Sequence, residues 1–306
     1  MKKKNYWRGK RVLVTGGTGT FGRAFVARLI GIKEIEKIFI LSRDEFKQHE
    51  MRHYFRDSRI DYFLGDVRDL ARLERAFNGI DVVVHAAALK QVPTLEYNPF
   101  EAVKTNILGT QNVIDAALDR NVEKVIVISS DKAVHPINLY GATKLTAERL
   151  TIASNAYRGR CGKTQLSVVR YGNVIGSRGS LVELVEKQRP SGVITLTDDR
   201  MTRFWIHTDE VTKIVTDAIE CMEGGEIFVP KMKSLWVMDV IKTLAPNCKI
   251  KIIGIRPGEK LHETLITEHE ISRTKDIGNM FVVLPEFRTW AAKNIFIKEK
   301  SFPKNS

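Results

Sequence analysis

Near its N-terminus the chain reads Arg11-Val12-Leu13-Val14-Thr15-Gly16-Gly17-Thr18-Gly19-Thr20-Phe21-Gly22, and this stretch indicates the class of fold. The apolar run at 11–14 is short and rich in β-branched residues, which is typical of a buried parallel strand. A helical pattern follows, with apolar positions at 25, 26, 29 and 30. Between them, Gly16, Gly19 and Gly22 permit a tight turn, close approach of the backbone to a pyrophosphate, and close helix packing. We therefore predict a Rossmann-like α/β fold that binds a dinucleotide, although the glycine spacing differs by one residue from the commonest fingerprint.

The residues after the second predicted strand indicate which dinucleotide is bound. They read Ser42-Arg43-Asp44-Glu45-Phe46-Lys47. Arg43 and Lys47 suit a 2′-phosphate, so NADP is favoured over NAD. Asp44 and Glu45 have a second interpretation as caps of the next helix. Asp66 follows another short strand, where it either accepts a hydrogen bond from the adenine amino group or caps the helix that follows.

A cluster of polar side chains follows the apolar run at 125–128. It reads Ser129-Ser130-Asp131-Lys132 and continues, after a short loop, as Tyr140-Gly141-Ala142-Thr143-Lys144. Groups at the carboxyl end of a parallel strand face the crevice where such sheets bind ligands. Tyr140 and Lys144 are four residues apart, so on a helix they share a face, and the ammonium would lower the pKa of the phenol. A tyrosine of this kind can take a proton from an alcohol while a hydride leaves the same carbon.

The order of the patterns predicts how the chain is divided. Strands at 11–14, 37–41, 60–64, 81–84, 124–129 and 166–171 alternate with helices, which predicts a doubly wound parallel sheet. After residue 172 the chain becomes rich in loops and in basic residues, and a further strand at 226–230 could return to the sheet. We predict a dinucleotide-binding domain over 1–172 with a returning segment at about 209–232. Residues 173–208 and 233–306 would form a smaller, interleaved substrate-binding lobe that closes over an anionic substrate.

The composition is that of an ordinary globular enzyme. The chain has 306 residues, 43% of them hydrophobic and 28% charged. It contains no apolar run of about 18 residues, and its basic start lacks the apolar segment of a signal peptide. The net charge of +13 is dispersed, and neither the seven histidines nor the three cysteines show ligand spacing. We expect a cytoplasmic homo-oligomer with no membrane insertion, no nucleic-acid partner and no metal.

Taken together, the motifs resemble those of the extended short-chain dehydrogenase/reductases. Within these, the chain is most similar to the soluble UDP-N-acetylglucosamine 4,6-dehydratases of the pseudaminic acid type. The motifs that carry this resemblance are Thr15-Gly16-Gly17-Thr18-Gly19-Thr20-Phe21-Gly22, Ser42-Arg43-Asp44-Glu45, His85-Ala86-Ala87-Ala88-Leu89-Lys90-Gln91-Val92-Pro93, Ser130-Asp131-Lys132, Tyr140-Gly141-Ala142-Thr143-Lys144, Arg200-Met201-Thr202-Arg203-Phe204 and Arg256-Pro257-Gly258-Glu259-Lys260-Leu261-His262-Glu263.

The resemblance implies an internal redox elimination. Tyr140, assisted by Lys144, would deprotonate O4 of the sugar while the C4 hydride passes to NADP. Lys132 would then remove the C5 proton, and Asp131 would protonate the departing C6 hydroxyl. The hydride returns to C6, and C5 is reprotonated on the opposite face, which gives the L-arabino product. A lysine base must be neutral, so we expect its pKa to be lowered.

The resemblance also implies which residues contact the ligands. Ser130 would join the catalytic group. The residues expected to bind the cofactor are Gly16, Thr18, Gly19, Thr20, Phe21, Gly22, Ser42, Arg43, Lys47, Asp66, Val67, Ala86, Lys90, Tyr140, Lys144 and Val174. Those expected to bind the UDP-sugar are Lys90, Asn173, Thr197, Arg200, Arg203, Arg256 and Glu259. Arg203 and Arg256 would pair with the diphosphate, because guanidinium binds phosphate in a bidentate manner.

Other functions remain open at this point. A dehydratase that retains the configuration at C5 is one alternative, because the outcome depends on which face of the sugar receives the returning proton. A nucleotide-sugar 4-epimerase would share the fold but needs no base at C5, so Asp131 and Lys132 argue against it. A non-catalytic NADP-binding protein would not need the complete catalytic group, and a nucleic-acid binder rests on the net charge alone.

Overall fold

The protein is described by a computed structural model that covers residues 6–158, 162–177, 179–287, 296 and 299–302. Arg178 and Cys161 lie outside these residues. The strands are β1 Arg11–Thr15, β2 Lys37–Ser42, β3 Ile60–Leu64, β4 Val82–His85, β5 Lys124–Ser130, β6 Gln165–Tyr171, β7 Asn173–Val174, β8 Val193–Leu196, β9 Thr202–Ile206, β10 Ile227–Pro230, β11 Lys233–Trp236, β12 Lys249–Ile252, β13 Thr274–Asp276, β14 Met280–Val283 and β15 Lys300–Ser301.

Helices alternate with these strands. They are α1 Thr20–Ile30, α2 Glu45–Tyr54, α3 Leu70–Ala76, α4 Val92–Tyr97, α5 Pro99–Ala102, α6 Gly109–Asp119, α7 Leu139–Ala153, α8 Leu181–Gln188, α9 Thr208–Cys221, α10 Val237–Leu244 and α11 Glu268–Ile271. A π-helical segment, Val103–Leu108, joins α5 to α6, and a 3₁₀ turn, Asp131–Ala133, follows β5. In the described part of the chain, no helix is long and apolar enough to span a membrane.

The main sheet confirms the predicted α/β fold. Its order is β15-β13-β14-β10-β6-β5-β4-β1-β2-β3, and the strands from β3 to β10 in this order are parallel. Each of the six predicted N-terminal strands is present, with ends that differ by at most one residue. Between β1 and β4 the direction of winding reverses, and this switch point is where doubly wound sheets bind their ligands.

The packing of β1 shows why this sheet is covered on both faces. Val12 and Val14 belong to one buried cluster, together with residues of α1 and α9, whereas Leu13 belongs to a second cluster with residues of α3 and α6. Side chains alternate between the faces of a strand, so an unbroken apolar run must be buried on both sides. The short apolar run at the start of the chain therefore lies at the centre of the fold.

The C-terminal part divides differently from the prediction. β10 pairs parallel with β6, so the segment near 227–230 returns to the main sheet. However, β13, β14 and β15 also join that sheet, because β14 pairs antiparallel with β10 and β13 with β14. The prediction that all of 233–306 belongs to the smaller lobe is wrong for these strands. Two small sheets, β11-β9-β7 and β12-β8, lie outside the main sheet, and a separate apolar cluster includes Ile194, Leu196 and Ile241.

A buried ion triad connects the sheet to α7. Arg170 on β6 pairs with Glu148 on α7 at 2.7 Å and with Glu270 on α11 at 2.9 Å. All three residues are buried. An unpaired charge at such a position would be strongly destabilising, so the triad holds α7 in one place on the sheet. This matters because α7 carries Tyr140 and Lys144.

Candidate active site

The glycine-rich loop between β1 and α1 forms one wall of a cleft at the switch point. Gly16 has a φ of +64°, and a Cβ there would lie 2.7 Å from the backbone nitrogen of Ala87. A Cβ on Gly22 would lie 2.5 Å from the carbonyl oxygen of Gly16. No side chain caps the start of α1, and its first turn contains no acidic residue. The exposed N–H groups and the positive end of this helix suit a phosphate group.

A cavity of about 550 Å³ continues from this loop along the ends of the strands. Its lining includes nine of the residues predicted to bind the cofactor: Gly16, Thr18, Gly19, Ser42, Arg43, Lys47, Asp66, Val67 and Ala86. Thr105 also lines it, and its hydroxyl is buried with no hydrogen-bond partner in the described residues. No sequence signal identified Thr105, because it reaches the cavity from the π-helical segment. Such segments are frequent at functional sites but are not readable from residue types.

Charged side chains surround the far end of this cavity. Arg43 is about half exposed, and its Nη1 lies 3.5 Å from Oδ2 of Asp66. Lys47 pairs with Asp44, which also caps α2 by accepting a hydrogen bond from the backbone nitrogen of Lys47 at 3.0 Å. The two basic residues predicted to meet a 2′-phosphate therefore lie at the same end of the cavity.

Asp66 does not cap α3, so that interpretation is wrong. The cap is Asp69, which accepts a hydrogen bond from the backbone nitrogen of Arg72. Asp66 instead accepts hydrogen bonds from Arg68. Burial would raise the pKa of Asp66, but the Arg68 hydrogen bonds and the charge of Arg43 lower it overall. Asp66 is thus an ionised acceptor at the cavity wall.

The catalytic cluster lies where β5 ends. Asp131 is fully buried, and its Oδ1 accepts hydrogen bonds from Oγ of Ser130 at 2.8 Å and from Nζ of Lys132 at 3.1 Å. Its other oxygen, Oδ2, has no hydrogen-bond partner among the described residues. A buried oxygen without a partner is costly in a folded protein and is a feature to be explained by function.

The pKa of Lys132 is shifted in the direction opposite to the expected one. Burial would lower the pKa of Lys132, but the carboxylates of Asp131 and Glu263 raise it overall. The prediction of a lowered pKa is therefore wrong for the protein without ligands. Glu263 contributes because its Oε1 lies 3.5 Å from Nζ of Lys132. The sequence alone did not indicate this contact, because Glu263 and Lys132 are far apart in the chain.

The pKa of Tyr140 also differs from the expectation. Burial raises it, and Asp131 raises it further, while the charge of Lys132 and a hydrogen bond with Ser130 lower it by less. The pKa is therefore raised overall, and Lys132, rather than Lys144, is the cation that favours the phenolate. Lys144 donates a hydrogen bond from Nζ to the carbonyl oxygen of Ile128 at 2.6 Å, and burial lowers its pKa to about 8 although Glu148 opposes this.

Gly141 determines how closely α7 approaches the catalytic turn. A Cβ at this position would lie 2.2 Å from the carbonyl oxygen of Lys132. Asn138 caps the helix by accepting a hydrogen bond from the backbone nitrogen of Gly141 at 2.8 Å. The absence of a side chain at Gly141 thus brings Tyr140 beside the Asp131–Lys132 turn.

We expect Gly141→Ala to lower the reaction rate by about 10²-fold, because a shift of about 1 Å between catalytic groups has an effect of this size. Steady-state kinetics and thermal unfolding of the same sample measure the rate and the folding. Gly31→Ala, at the exposed end of α1, is the matched control and should retain the activity. Wild-type kinetics in Gly141→Ala would contradict this account of α7.

The remaining predicted cofactor residues are distributed around the cleft. Phe21 stacks on Phe25 and lies near Tyr171, so its ring contributes to the core. Val174 is buried in the same cluster. The pKa of Lys90 is lowered by burial, against the charge of Glu183, and Lys132 lowers it further. Lys90 is thus close enough to the catalytic cluster to be influenced by its charge.

The residues predicted to bind the substrate differ from one another in their burial and in their hydrogen-bond partners. Arg203 is buried, and it donates hydrogen bonds to the carbonyl oxygens of Thr202, Leu261 and Lys260 at 2.7–3.0 Å. These bonds use three of its five N–H groups, and Nη2 also lies 3.7 Å from Oε1 of Glu259. Its contact with a diphosphate therefore stays a prediction, which would use the remaining N–H groups. Its role here is to fix the segment around 260–261.

The other five residues of this group, apart from Lys90, lie on the small sheets and their loops. Arg200 is exposed and pairs with Asp198 at 2.9 Å. Arg256 is exposed, and its backbone nitrogen bonds to Glu259. Thr197 is buried beside Met201, and Asn173 begins β7. These positions leave Arg256 as the better placed of the two predicted arginine ligands for an incoming anion.

Comparisons with known proteins show the family of this chain. The family model described as polysaccharide biosynthesis protein matches residues 12–285. A UDP-N-acetylglucosamine 4,6-dehydratase (inverting) of Campylobacter jejuni is 48% identical, over 92% of this chain and 84% of that protein. A protein of Rickettsia canadensis named UDP-glucose 4-epimerase is 41% identical, over 89% of this chain and 82% of its own. The X-ray structure of Pen from Bacillus thuringiensis has a TM-score of 0.88 and 40% identity, covering 92% of this chain and 88% of that one.

Proposed function

Because the chain belongs to the polysaccharide biosynthesis protein family, we propose that it is a nicotinamide-dependent 4,6-dehydratase that acts on UDP-N-acetylglucosamine. The observation that carries this proposal is the Asp131–Lys132 pair, which lies beside Tyr140 at the end of β5. A redox tyrosine alone would serve an oxidation at C4. The added carboxyl and amine supply the acid and the base that an elimination across C5 and C6 requires.

The cavity at the switch point fits a nicotinamide dinucleotide. The loop at 16–22 would hold the pyrophosphate, Asp66 the adenine, and Ser42, Arg43 and Lys47 a 2′-phosphate. The buried hydroxyl of Thr105, which has no partner in the described residues, would receive one from the ligand. When bound, the cofactor would supply the acceptor for the hydride from C4 of the sugar and the donor of the hydride to C6, so the reaction would need no net oxidant.

Tyr140 in its phenolate form, which the charge of Lys132 favours, begins the reaction by accepting the proton of the C4 hydroxyl. The new ketone makes the C5 proton acidic, and Lys132 in its neutral form then removes that proton. Asp131 in its protonated form gives a proton to the C6 hydroxyl, which leaves as water. Ser130 supports Tyr140 through a hydrogen bond. Lys144, which donates a hydrogen bond to the carbonyl oxygen of Ile128, would hold the nicotinamide end of the cofactor.

A single proton transfer can prepare both the acid and the base. Nζ of Lys132 and Oδ1 of Asp131 are 3.1 Å apart and share a hydrogen bond. Transfer of one proton along it converts the ion pair into a neutral amine and a carboxylic acid. Burial disfavours ions more than neutral groups, so a substrate that excludes water from the site would favour this transfer.

The named relatives leave a 4-epimerase as the second candidate. An epimerase returns the hydride to C4 and has no need to exchange the proton at C5. Incubation with UDP-N-acetylglucosamine in deuterated water, followed by NMR of the product, separates the two. A 4-keto-6-deoxy sugar with deuterium at C5 would support the dehydratase. A C4 epimer without deuterium at C5 would overturn it.

The same spectrum reports the stereochemistry. The similarity to an inverting enzyme leads us to propose the L-arabino product, with the proton returned to C5 on the opposite face. A product with the D-xylo configuration would refute inversion and leave the dehydratase intact.

The cofactor preference is tested at Arg43. We expect the protein to bind NADP more tightly than NAD, and Arg43→Ala to reduce this preference by about 10-fold, since hydrogen bonds to charged groups contribute roughly 1.5–3 kcal/mol. Calorimetric titration with both cofactors measures the ratio. Arg56→Ala, an exposed arginine that does not line this cavity, should leave the ratio unchanged. Equal affinities in the unmodified protein would contradict NADP specificity.

A further inference from the structure

Glu263 is a buried carboxylate that has no role in the reaction steps proposed for Tyr140, Lys132 and Asp131. It lies in the segment between β12 and α11, and its side chain is 3% exposed. Oε1 lies 3.5 Å from Nζ of Lys132, and Oε2 lies 3.4 Å from Nζ of Lys260. Oε2 has no hydrogen-bond partner in the described residues. This carboxylate therefore links two ammonium groups without being fully satisfied by either.

Two contacts fix the segment of Glu263 against the catalytic turn. Lys260 donates a hydrogen bond from Nζ to the carbonyl oxygen of Val134 at 2.6 Å. Arg203 holds the carbonyl oxygens of Lys260 and Leu261. Glu263 is thus held beside Lys132, because hydrogen bonds attach its segment to Val134 and to Arg203.

Lys132 is surrounded by charged and titratable groups from four parts of the fold. These are Asp131 on its own turn, Tyr140 on α7, Lys90 after β4, and Glu263, which in turn faces Lys260. An opposite charge within about 4–6 Å shifts a pKa by roughly 1–3 units toward the charged form. Asp131 is a member of the reacting pair, so Glu263 is the carboxylate that acts on this pair from outside.

We propose that Glu263 is a positioning residue that holds Lys132 beside Asp131 and opposes the transfer of its proton to Asp131. This inference rests on the proposed dehydratase function. With Glu263 ionised, the ammonium of Lys132 faces two carboxylates, and its proton leaves less readily. The direction agrees with the raised pKa of Lys132. Glu263 would thereby keep the site in its ion-paired form until the substrate is in place.

The test is the pH dependence of deuterium incorporation at C5. Only neutral Lys132 acts as the base. Incorporation should therefore rise with pH as the Asp131–Lys132 pair loses the proton that it shares. Glu263→Gln removes a negative charge and should move this rise about 1 pH unit lower. Lys260→Met removes a cation that competes for Glu263 and should move the rise to higher pH. Glu268→Gln, an exposed carboxylate nearby, should leave it unchanged.

Opposite shifts in the two variants are the expected result, because a purely structural role would alter the rate without moving the pH dependence. If both variants kept the pH dependence of the unmodified protein, the inference would be overturned. If Glu263→Gln fails to fold, the shift of the pH dependence in Lys260→Met still tests the inference. A titration of Lys132 by ¹³C NMR, assigned with Lys132→Met, gives the same answer without turnover. If the unmodified protein produced no keto sugar, the proposed function would fail while this titration still tested Glu263.

Discussion

Tyr140→Phe should leave the cofactor oxidised when UDP-N-acetylglucosamine is added, with C4 oxidation slowed by at least about 10³-fold. The phenolate of Tyr140 is the group placed to accept the O4 proton, and phenylalanine offers no substitute. Rapid mixing with detection of nicotinamide absorbance measures this step directly. The hydrogen bond to Ser130 and the charge of Lys132 both favour the phenolate, so the loss should be specific to the hydroxyl.

Asp131→Asn is the contrasting variant. It should still form the reduced cofactor, because the negative charge of Asp131 raises the pKa of Tyr140 and its removal does not hinder oxidation. Loss of water should be slower by about 10²–10⁴-fold, as for other general acids. The reduced cofactor should therefore accumulate. If Asp131→Asn prevented reduction as completely as Tyr140→Phe, the roles assigned to the two residues would be wrong.

Lys132→Ala should abolish the dehydrated product while slow oxidation at C4 continues. Removal of Lys132 takes away the base for C5 and also a cation that lowers the pKa of Tyr140, so oxidation should itself be slower than in the unmodified protein. NMR in deuterated water should show neither a 6-deoxy sugar nor deuterium at C5. Lys132→Glu, which supplies a different base, should recover a little of the activity.

The results for Tyr140→Phe and Lys132→Ala together separate oxidation at C4 from elimination across C5 and C6. Elimination in Lys132→Ala at the rate of the unmodified protein would assign the C5 base to another residue. Lys213→Ala serves as the matched control, since it removes an exposed lysine of α9 that pairs with Asp217. It should retain product formation at the rate of the unmodified protein.

Much of the fold was predictable because its signals are local. The strands at 11–14, 37–41 and 124–129 are continuous apolar runs that must be buried on both faces, and helical patterns separate them. Such periodicity is contained in a few neighbouring residues. The strands β13, β14 and β15 were missed because they are short. Their place beside β10 depends on pairing between distant segments.

Within the candidate site, the sequence determined which chemical groups are present and at which strand ends they lie. The glycine loop, the Asp131–Lys132 pair and Tyr140 could all be named from their positions after predicted strands. Only the tertiary structure decided the direction in which the pKa values of Lys132 and Tyr140 are shifted. Burial raises the pKa of Tyr140. For Lys132 burial lowers the pKa, but the carboxylates of Asp131 and Glu263 raise it overall, so both directions are opposite to those expected. The physical reason is that a pKa depends on desolvation and on charges a few ångströms away, and the residues that supply them, such as Glu263, are far away in the chain.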